Sequence, residues 1–544
     1  MRFYQVGRLA LSLPLLGFAG PGSFAQNGTS LPSLLDATVD ELAAGLGAKL
    51  FTSVDLVKAY TKRILEVNNE LHAITEINPD ALKIAKDLDY ERKFGRLRGP
   101  LHGLPILIKN NIAAADLMNN TAGSYALLGA RVSRDATVVA KLRKAGVIIL
   151  GKANMSQWAN FRSSNSSNGW SAHGGQVYGA YYPQQDPSGS SSGSGVGSSL
   201  GLALAALGTE TDGSILSPAQ ANNIVGIKPT VGLTSGALAI PISPRQDTIG
   251  PLARTVKDAA YVLQAIAGKD PLDNYTSAIP GTIPNYVAAC KLDALKGKRI
   301  GVPRNTFDTQ TEPFASMNRA FDAALNVLKD AGAIIVDNTN YTAWDQLLQS
   351  PAEAQVLGAD FQANLKQYLA QLTYNPKNMT SLADVNQFTK TFLPEEYPSR
   401  DTFIFDWVLS LPFNNTSPEA WAAYQYNQYL GGTGGLLGAL QNYTLDAVVL
   451  PTRVSSSVSA IIGGPVVTVP LGALAPDTPV VPNSRGDLVA SSPNYPFGIA
   501  FAGPHWSEAK LIGFAYAFEQ RTNVRKQVKP YIAPKTELVD VIGI

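Results

Sequence analysis

The sequence predicts an α/β protein in which a central sheet is covered by helices on both faces. Helical patterns alternate with short apolar runs of strand length, such as Ile300–Val302 and Ala447–Leu450, and this alternation is typical of sheets with helices on both sides. Charged residues make up only 16% of the 544 residues and hydrophobic residues 45%, whereas an average soluble protein has about 25% charged residues. We therefore expect a large buried core.

The composition excludes several classes of partner. The net charge is +2 and no run of like charges occurs, which speaks against a nucleic-acid surface or a polybasic membrane patch. A single cysteine, Cys290, excludes an internal disulfide framework and a cysteine-based metal cluster. The four histidines lack the spacing of metal ligands: His72, His102, His173 and His505. We expect a small-molecule partner and neither a metal nor a cofactor.

The first 25 residues have the pattern of a signal peptide. Arg2 and Arg8 precede the apolar run Leu9–Ala19, which is shorter than the roughly 20 residues that span a bilayer. Ser23–Ala25 then offers small residues for cleavage. We predict a signal peptide over residues 1–25 and a secreted chain over 26–544 with no stable membrane anchor. The alternative is a buried core helix.

Acceptor triplets for N-glycosylation support export independently. An Asn-x-Ser/Thr triplet is a surface feature of secreted eukaryotic proteins. The sequence contains such triplets at Asn27, Asn119, Asn154, Asn165, Asn274, Asn340, Asn378, Asn414, Asn415 and Asn442.

The amino-terminal part predicts two helices and a strand that leads to a lysine. Thr52 and Asp55 form a capping-box pattern. The apolar positions that follow recur at a spacing of four: Leu56, Tyr60 and Ile64. A second helix is predicted near Ala81, and the apolar strand Leu104–Ile108 is followed immediately by Lys109.

One segment has the spacing of a phosphate-binding loop. A helical pattern ends at Gly146, and Val147–Leu150 predicts a buried strand bounded by Gly151. Gly146–Lys152 satisfies G-x-x-x-x-G-K, but its central residues form an apolar strand and Ala153 replaces the Ser/Thr that holds Mg²⁺. We reject nucleotide binding.

The stretch Asp186–Leu216 is rich in serine and glycine. Such tracts are usually flexible linkers, but this one continues into the apolar residues 200–208, which require a core, and then into a Gly213-Ser214 turn. Glycines also let backbone N–H groups line a concave surface that receives an oxyanion. The stretch therefore predicts serine chemistry, with Lys109 upstream as a partner.

Several motifs resemble, in order, those of the amidase signature family. They are Leu101–Asn110, Ser188–Ser194, Thr209–Ile215, Gly226–Thr230 and Asp247–Thr255. The resemblance extends from about Thr38 to Thr522 and implies one large domain with a large mixed sheet. Its expected parts are core motifs over residues 101–260, a mainly helical insertion over about 308–440 and a return to the core over 445–522.

The resemblance implies hydrolysis of carboxamide C–N bonds through an acyl-serine intermediate. Ser214 corresponds to the nucleophile, Ser190 to a bridging serine preceded by a cis peptide, and Lys109 to the general base. The backbone N–H groups of Thr211, Asp212, Gly213 and Ser214 correspond to the oxyanion hole. These parts meet the two needs of a serine nucleophile, removal of its proton and stabilisation of the oxyanion.

Lys109 can act as a base near pH 7 only if its pKa falls by about 3 units, a cost of roughly 4 kcal/mol that burial can supply. The apolar flank Leu104–Ile108 supports burial. The alternative is a lysine that extends to solvent or pairs with a carboxylate. The matching serine motifs favour the catalytic interpretation.

The sequence departs from the common family pattern outside the three catalytic positions. Asp212, Ser188 and Ser192 stand where glycine is usual, Asn110 replaces a frequent aspartate, and Leu216 replaces a common arginine. The motifs at Trp158–Arg162, Gly174–Gln176 and Thr209–Ile215 resemble the peptide amidase branch, which implies C-terminal peptide amides as substrates.

Three other functions stay open at this point. Gly189–Gly193 also matches G-x-S-x-G, so Ser191 and His505 could belong to an α/β-hydrolase esterase, although the preceding Tyr181–Pro187 lacks an apolar strand. The fold could serve a catalytically silent secreted glycoprotein, against which the three retained site residues argue. An amidotransferase subunit acting on charged tRNA is disfavoured by the signal-like start and the absence of a basic cluster.

Overall fold

The computed structural model describes residues 31–307 and 311–543. The predicted signal peptide and the acceptor Asn27 lie outside the described residues. Residues from Pro32 onward form one compact unit.

The strands of the described residues are, in chain order, β1 Ile74–Ile77, β2 Pro105–Lys109, β3 Arg131–Val132, β4 Ile148–Ala153, β5 Trp170–Ser171, β6 Gly175–Gln176, β7 Ala205–Glu210, β8 Val225–Lys228, β9 Thr248–Ala253, β10 Arg299–Val302, β11 Ile334–Asp337, β12 Leu372–Tyr374, β13 Ala447–Pro451, β14 Val466–Ala473, β15 Val481–Pro482, β16 Val489–Ser491 and β17 Pro496–Ala502.

The α-helices of the same residues are α1 Val39–Gly47, α2 Ser53–Leu71, α3 Ala81–Lys93, α4 Thr137–Lys144, α5 Ser192–Ser199, α6 Leu216–Ala221, α7 Val256–Ile266, α8 Phe314–Asp330, α9 Trp344–Gln349, α10 Ala352–Leu369, α11 Leu382–Thr391, α12 Phe403–Ser410, α13 Pro418–Gly431, α14 Leu436–Asn442, α15 Ser457–Ile462 and α16 Glu508–Thr522.

Local sequence signals explain several helix ends. The Thr52 hydroxyl accepts from the Asp55 N–H and the Asp55 carboxylate accepts from the Thr52 N–H, so the predicted capping box starts α2. The apolar positions predicted for this helix are buried: Leu56, Tyr60 and Ile64. The start of α3 at Ala81 also agrees with the prediction.

A mixed sheet forms the centre of the protein. Its eleven strands in the described residues have the spatial order β1-β4-β2-β7-β9-β8-β14-β17-β13-β10-β11. The strand β2 is parallel to both β4 and β7, whereas β7–β9 and β14–β17 are antiparallel. Helices α5, α6, α7 and α16 pack against strands of this sheet. The predicted α/β class with a large mixed sheet flanked by helices is confirmed.

The predicted ends of β2 and β4 fall short of the observed ends. Lys109 is the last residue of β2 and does not follow the strand. The strand β4 continues through Gly151 to Ala153, because Gly151 pairs with Leu107 and Lys152 with Ile108 of β2. Pairing with β2 therefore extends β4 beyond the end of its apolar run.

Helices α8–α14 occupy most of residues 314–442, with β11 and β12 among them. Because β11 pairs with β10, this part of the chain contributes an edge strand to the central sheet. Among the described helices, none combines the length and the apolar character needed to cross a bilayer.

Candidate active site

Parallel strands bring two chain segments together at one edge of the sheet. The strands β2 and β7 pair in parallel, with Ile106 opposite Ala205 and Ile108 opposite Leu207. Because parallel strands end at the same edge, the last residues of both strands, including Lys109 and Thr209, meet there.

Lys109 is fully buried and has three close oxygen neighbours. Its Nζ lies 2.8 Å from Ser190 Oγ, 2.8 Å from Thr209 Oγ1 and 3.1 Å from the Thr209 carbonyl oxygen. Asn111 Nδ2 also donates to Thr209 Oγ1, over 3.0 Å. Sequence reasoning assigned no role to Thr209, although the residue lies inside a quoted motif.

Burial lowers the pKa of Lys109 to about 7, and the negative charges of Glu210 and Asp247 partly oppose this shift. The lysine has no carboxylate within salt-bridge distance among the described residues. A substantial fraction of the Lys109 side chain is therefore a neutral amine near pH 7.

Ser190 is fully buried beside this lysine. The Gly189–Ser190 peptide bond is cis, as the family resemblance implies. The Ser190 carbonyl accepts from the Ser156 N–H over 3.1 Å. A side chain at Gly189 would place Cβ 2.5 Å from Ser156 Oγ, so a larger residue would force the Ser156 side chain to move.

The structure brings Ser214 next to the same segment. The Ser191 N–H donates to the Ser214 carbonyl over 3.2 Å, which holds residue 214 beside the Ser190–Ser191 backbone. Ser214 is 8% exposed, whereas Ser190 is 0% exposed. Of the predicted residues Lys109, Ser190 and Ser214, only the last has any solvent-exposed surface.

The turn from Thr211 to Ser214 presents free backbone donors. Within the described residues, no acceptor receives the N–H groups of Asp212, Gly213 and Ser214. Gly213 has a φ of 81°, a left-handed conformation that glycine adopts without a steric cost. Such a series of free donors can receive an anion or an oxyanion.

Two carboxylates hold this turn from outside. Glu210 Oε2 accepts from the N–H groups of Ile215 and Leu216, over 2.6 and 2.9 Å. Asp247 accepts from the Thr211 hydroxyl over 2.6 Å and from the Ile242 N–H over 2.8 Å. Burial raises the pKa of Glu210 and raises that of Asp247 to about 6. The turn is thus fixed at both ends.

Two further carboxyl groups lie near the turn. Asp212 is solvent-exposed, yet enough protein surrounds it that burial raises its pKa. Glu353 of α10 approaches through Gln246, whose Nε2 lies 2.8 Å from Glu353 Oε1 and 3.4 Å from the Thr211 carbonyl oxygen. The sequence analysis singled out Asp212 but not Glu353, which lies 141 residues further along the chain.

A cavity of about 340 Å³ adjoins the site. Its lining includes Asn111, Thr209 and Thr211 and mixes apolar walls such as Ile240 and Ile242 with polar and charged side chains such as Arg134, Asp273, Asn364 and Gln367. Ser190 and Ser214 are not part of its lining. The cavity therefore borders Thr209, whose hydroxyl contacts Lys109.

The residues of the esterase alternative do not come together. Ser191 is fully buried and donates its hydroxyl to the Thr209 carbonyl over 3.1 Å. His505 Nε2 lies 2.6 Å from the Ile462 carbonyl oxygen. In addition, residues 181–187 form no strand. The nucleophile elbow that this alternative needs is absent from this described segment.

Comparison with known proteins gives matches over most of the chain. The sequence model of the family described as Amidase matches residues 55–512. A putative amidase of Arthroderma benhamiae is 55% identical over 94% of this chain and 90% of its own length. A probable amidase of Arabidopsis thaliana is 38% identical over 96% of both chains.

A solved structure extends the similarity to three dimensions. The native peptide amidase from Stenotrophomonas maltophilia is 39% identical, has a TM-score of 0.82, and is matched over 92% of this chain and 99% of its own. The chain belongs to the amidase family. It is an amidase, an enzyme that hydrolyses carbon–nitrogen bonds.

Proposed function

We propose that Ser214 is the nucleophile of this amidase, that Lys109 is its general base and that Ser190 carries the proton between them. The observation that carries the proposal is the 2.8 Å separation of Lys109 Nζ from Ser190 Oγ around a fully buried lysine. An amine whose pKa is about 7 is half deprotonated at neutral pH, which suits a general base.

In the proposed reaction, Ser214 Oγ attacks the carboxamide carbon as its proton passes to Ser190 and the Ser190 proton passes to Lys109. The free N–H groups of residues 211–214 receive the oxyanion. The lysine then returns the proton through Ser190 to the leaving nitrogen, which departs as ammonia or an amine. Water attacks the acyl-serine by the same proton path and releases the carboxylate.

We further propose C-terminal amides of peptides, or other small amides, as substrates. The proposal is supported by the motifs shared with the peptide amidase branch and by the similarity to the peptide amidase of Stenotrophomonas maltophilia. The cavity of about 340 Å³ lies at the low end of the range for ligand sites, roughly 300–1,000 Å³, which suits a small substrate.

Secretion of the mature chain is also proposed, on the basis of the signal-like residues 1–25 and the glycosylation triplets. Edman degradation of protein from the culture medium should then start near Gln26. Secreted protein that still begins with Met1 would contradict the proposal.

The catalytic proposal is tested by locating the covalent intermediate. A fluorophosphonate should modify the peptide that contains Ser214, and the enzyme should release ammonia from a panel of peptide, fatty and aryl amides. Modification of Ser191 in place of Ser214 would overturn the assignment. Ser214→Ala should abolish both labelling and ammonia release.

A further inference from the structure

Three buried side chains around the cavity of about 340 Å³ each have a polar atom without a hydrogen-bond partner. Asn111, Thr248 and Tyr368 belong to the lining of this cavity and are 3%, 2% and 3% exposed. Within the described residues, no partner reaches Asn111 Oδ1, Thr248 Oγ1 or Tyr368 Oη. Buried polar atoms in folded proteins nearly always have a partner, because leaving one unpaired is costly. Three such atoms around one cavity point to a ligand that pairs with them.

These side chains come from three separate parts of the chain and lie beside the proposed base. Asn111 follows β2, Thr248 starts β9 and Tyr368 lies near the end of α10. Asn111 Nδ2 donates to Thr209 Oγ1 over 3.0 Å, and this hydroxyl lies 2.8 Å from Lys109 Nζ. A ligand bound to Asn111 is therefore two hydrogen bonds away from the lysine.

The unpaired atoms of the cavity are neutral. The carboxylates of Asp247 and Asp273, which also line it, already accept two hydrogen bonds each. Arg134 is only partly buried and donates to the Asp135 carbonyl over 3.2 Å. Of the buried lining atoms that the structure describes, those left unpaired are one amide carbonyl and two hydroxyl oxygens. The cavity therefore fits a neutral group that has both a donor and an acceptor.

We infer that this cavity binds a second amide group of the substrate, in addition to the carboxamide that is hydrolysed. An amide supplies an N–H donor for Asn111 Oδ1 and a carbonyl acceptor for the hydroxyl of Thr248 or Tyr368. A backbone peptide unit and the side chain of glutamine or asparagine both supply these atoms. The inference rests on the proposed function, because it divides the proposed substrates into those with a second amide and those without one.

Three substrates distinguish the sources of the second amide. N-acetyl-leucinamide has a backbone amide beside its terminal carboxamide, 4-methylpentanamide has the same carbon chain without it, and N-acetyl-glutaminamide adds a side-chain amide. The full-length enzyme should show a kcat/KM at least about tenfold higher for a substrate whose second amide occupies the cavity than for 4-methylpentanamide. Both N-acetyl compounds show this gain if the backbone unit is bound, and only N-acetyl-glutaminamide shows it if the side chain is bound.

Tyr368→Phe and Thr248→Val each remove one unpaired hydroxyl, and each should lower the ratio of these kcat/KM values about tenfold. Since neither hydroxyl has a partner among the described residues, the urea midpoint of the free protein should not fall. Thr339→Val is the matched control. Thr339 is also fully buried with an unpaired hydroxyl but does not line the cavity, so its ratio should equal that of the wild type.

An unchanged ratio in both variants overturns the inference and leaves the cavity to water. Losses of equal size on all three substrates overturn it as well, because a packing defect lowers every rate alike. If one variant does not fold, the other gives the same comparison. Ammonia release by Ser214→Ala at the wild-type rate would overturn the proposed nucleophile, while the ratio would still report on the cavity.

Discussion

Thr209 gives Lys109 two hydrogen-bond acceptors, its hydroxyl at 2.8 Å and its carbonyl oxygen at 3.1 Å from Nζ. A neutral amine has two N–H bonds and one lone pair. When both N–H bonds are directed to Thr209, the lone pair is left for the Ser190 hydroxyl at 2.8 Å. Thr209 therefore orients the amine of Lys109, the proposed base.

Thr209→Val should lower kcat by about tenfold, because it removes one acceptor that orients the amine. The variant also loses a partner that favours the charged ammonium, so the pKa of Lys109 should fall and the acid limb of the rate profile should move to lower pH. Thr209→Ser keeps the hydroxyl and should restore both quantities. If the pH profile of Thr209→Val equals that of the wild type, Thr209 serves only in packing.

The activity should depend on pH through Lys109. Its pKa is lowered to about 7, so below that pH the amine gains a proton and loses the lone pair that accepts from Ser190. We expect kcat/KM to fall about tenfold per pH unit on the acid side, with an apparent pKa that belongs to the coupled Lys-Ser-Ser unit.

Lys109→Arg should be inactive at every pH, since guanidinium stays protonated. Initial rates of ammonia release from pH 5 to 9 provide both measurements. A rate that is flat across pH 7 would rule out Lys109 as the base.

His505→Gln should keep kcat within about threefold of the wild type. The ring nitrogen of His505 lies 2.6 Å from the Ile462 carbonyl oxygen, and a lysine-based mechanism needs no histidine. An esterase triad loses about 10⁴-fold or more when a triad member is removed. Kinetics on one peptide amide therefore separate the two mechanisms, with Ser214→Ala as the inactive control.

Glu395→Gln should destabilise the protein by about 3 kcal/mol, because it leaves the charge of the buried Arg162 unpaired. Glu395 is fully buried and lies 3.1 Å from Arg162 Nη1, and it also accepts from the Ser124 hydroxyl and the Tyr125 N–H, over 2.7 and 2.8 Å. Urea denaturation followed by tryptophan fluorescence measures the loss.

The matched control for this substitution is Glu312→Gln, whose salt bridge with Arg319 lies on the surface. Exposed pairs contribute little, so its urea midpoint should not change measurably. Equal midpoints for Glu395→Gln and the wild type would contradict the assigned role of the buried pair.

If the chain is secreted as proposed, glycosylation should follow exposure of the acceptor asparagines in the folded state. Asn154 is fully buried and its amide donates to the carbonyls of His72, Gly174 and Gly175, so we expect no glycan there. The exposed acceptors are the expected sites: Asn165, Asn274, Asn340, Asn378, Asn414 and Asn442. Peptide mass spectrometry after enzymatic deglycosylation in H₂¹⁸O identifies the modified asparagines. A glycan at Asn154 would contradict this assignment.

The sequence predicted features that depend on local signals better than it predicted strand ends that depend on pairing with another strand. The capping box at Thr52 and the apolar spacing of α2 act within a few residues, so the sequence alone specified the start and the buried face of that helix. The end of β4 depends on β2, which pairs with Gly151 and Lys152. A strand can continue past its apolar run because the neighbouring strand supplies hydrogen bonds. The length of the apolar run alone does not predict that extension.

The sequence by itself indicated the class of enzyme, which the family match shows, and it predicted Lys109, Ser190 and Ser214 as site residues, because each lies in a motif whose order along the chain is informative. Only the tertiary structure decided what surrounds them. Thr209 contacts Lys109 from the neighbouring strand, and Glu353 reaches the Asp212 turn from α10 through Gln246. Such contacts join residues that are distant in sequence, and they form only when the strands pair and the helices pack.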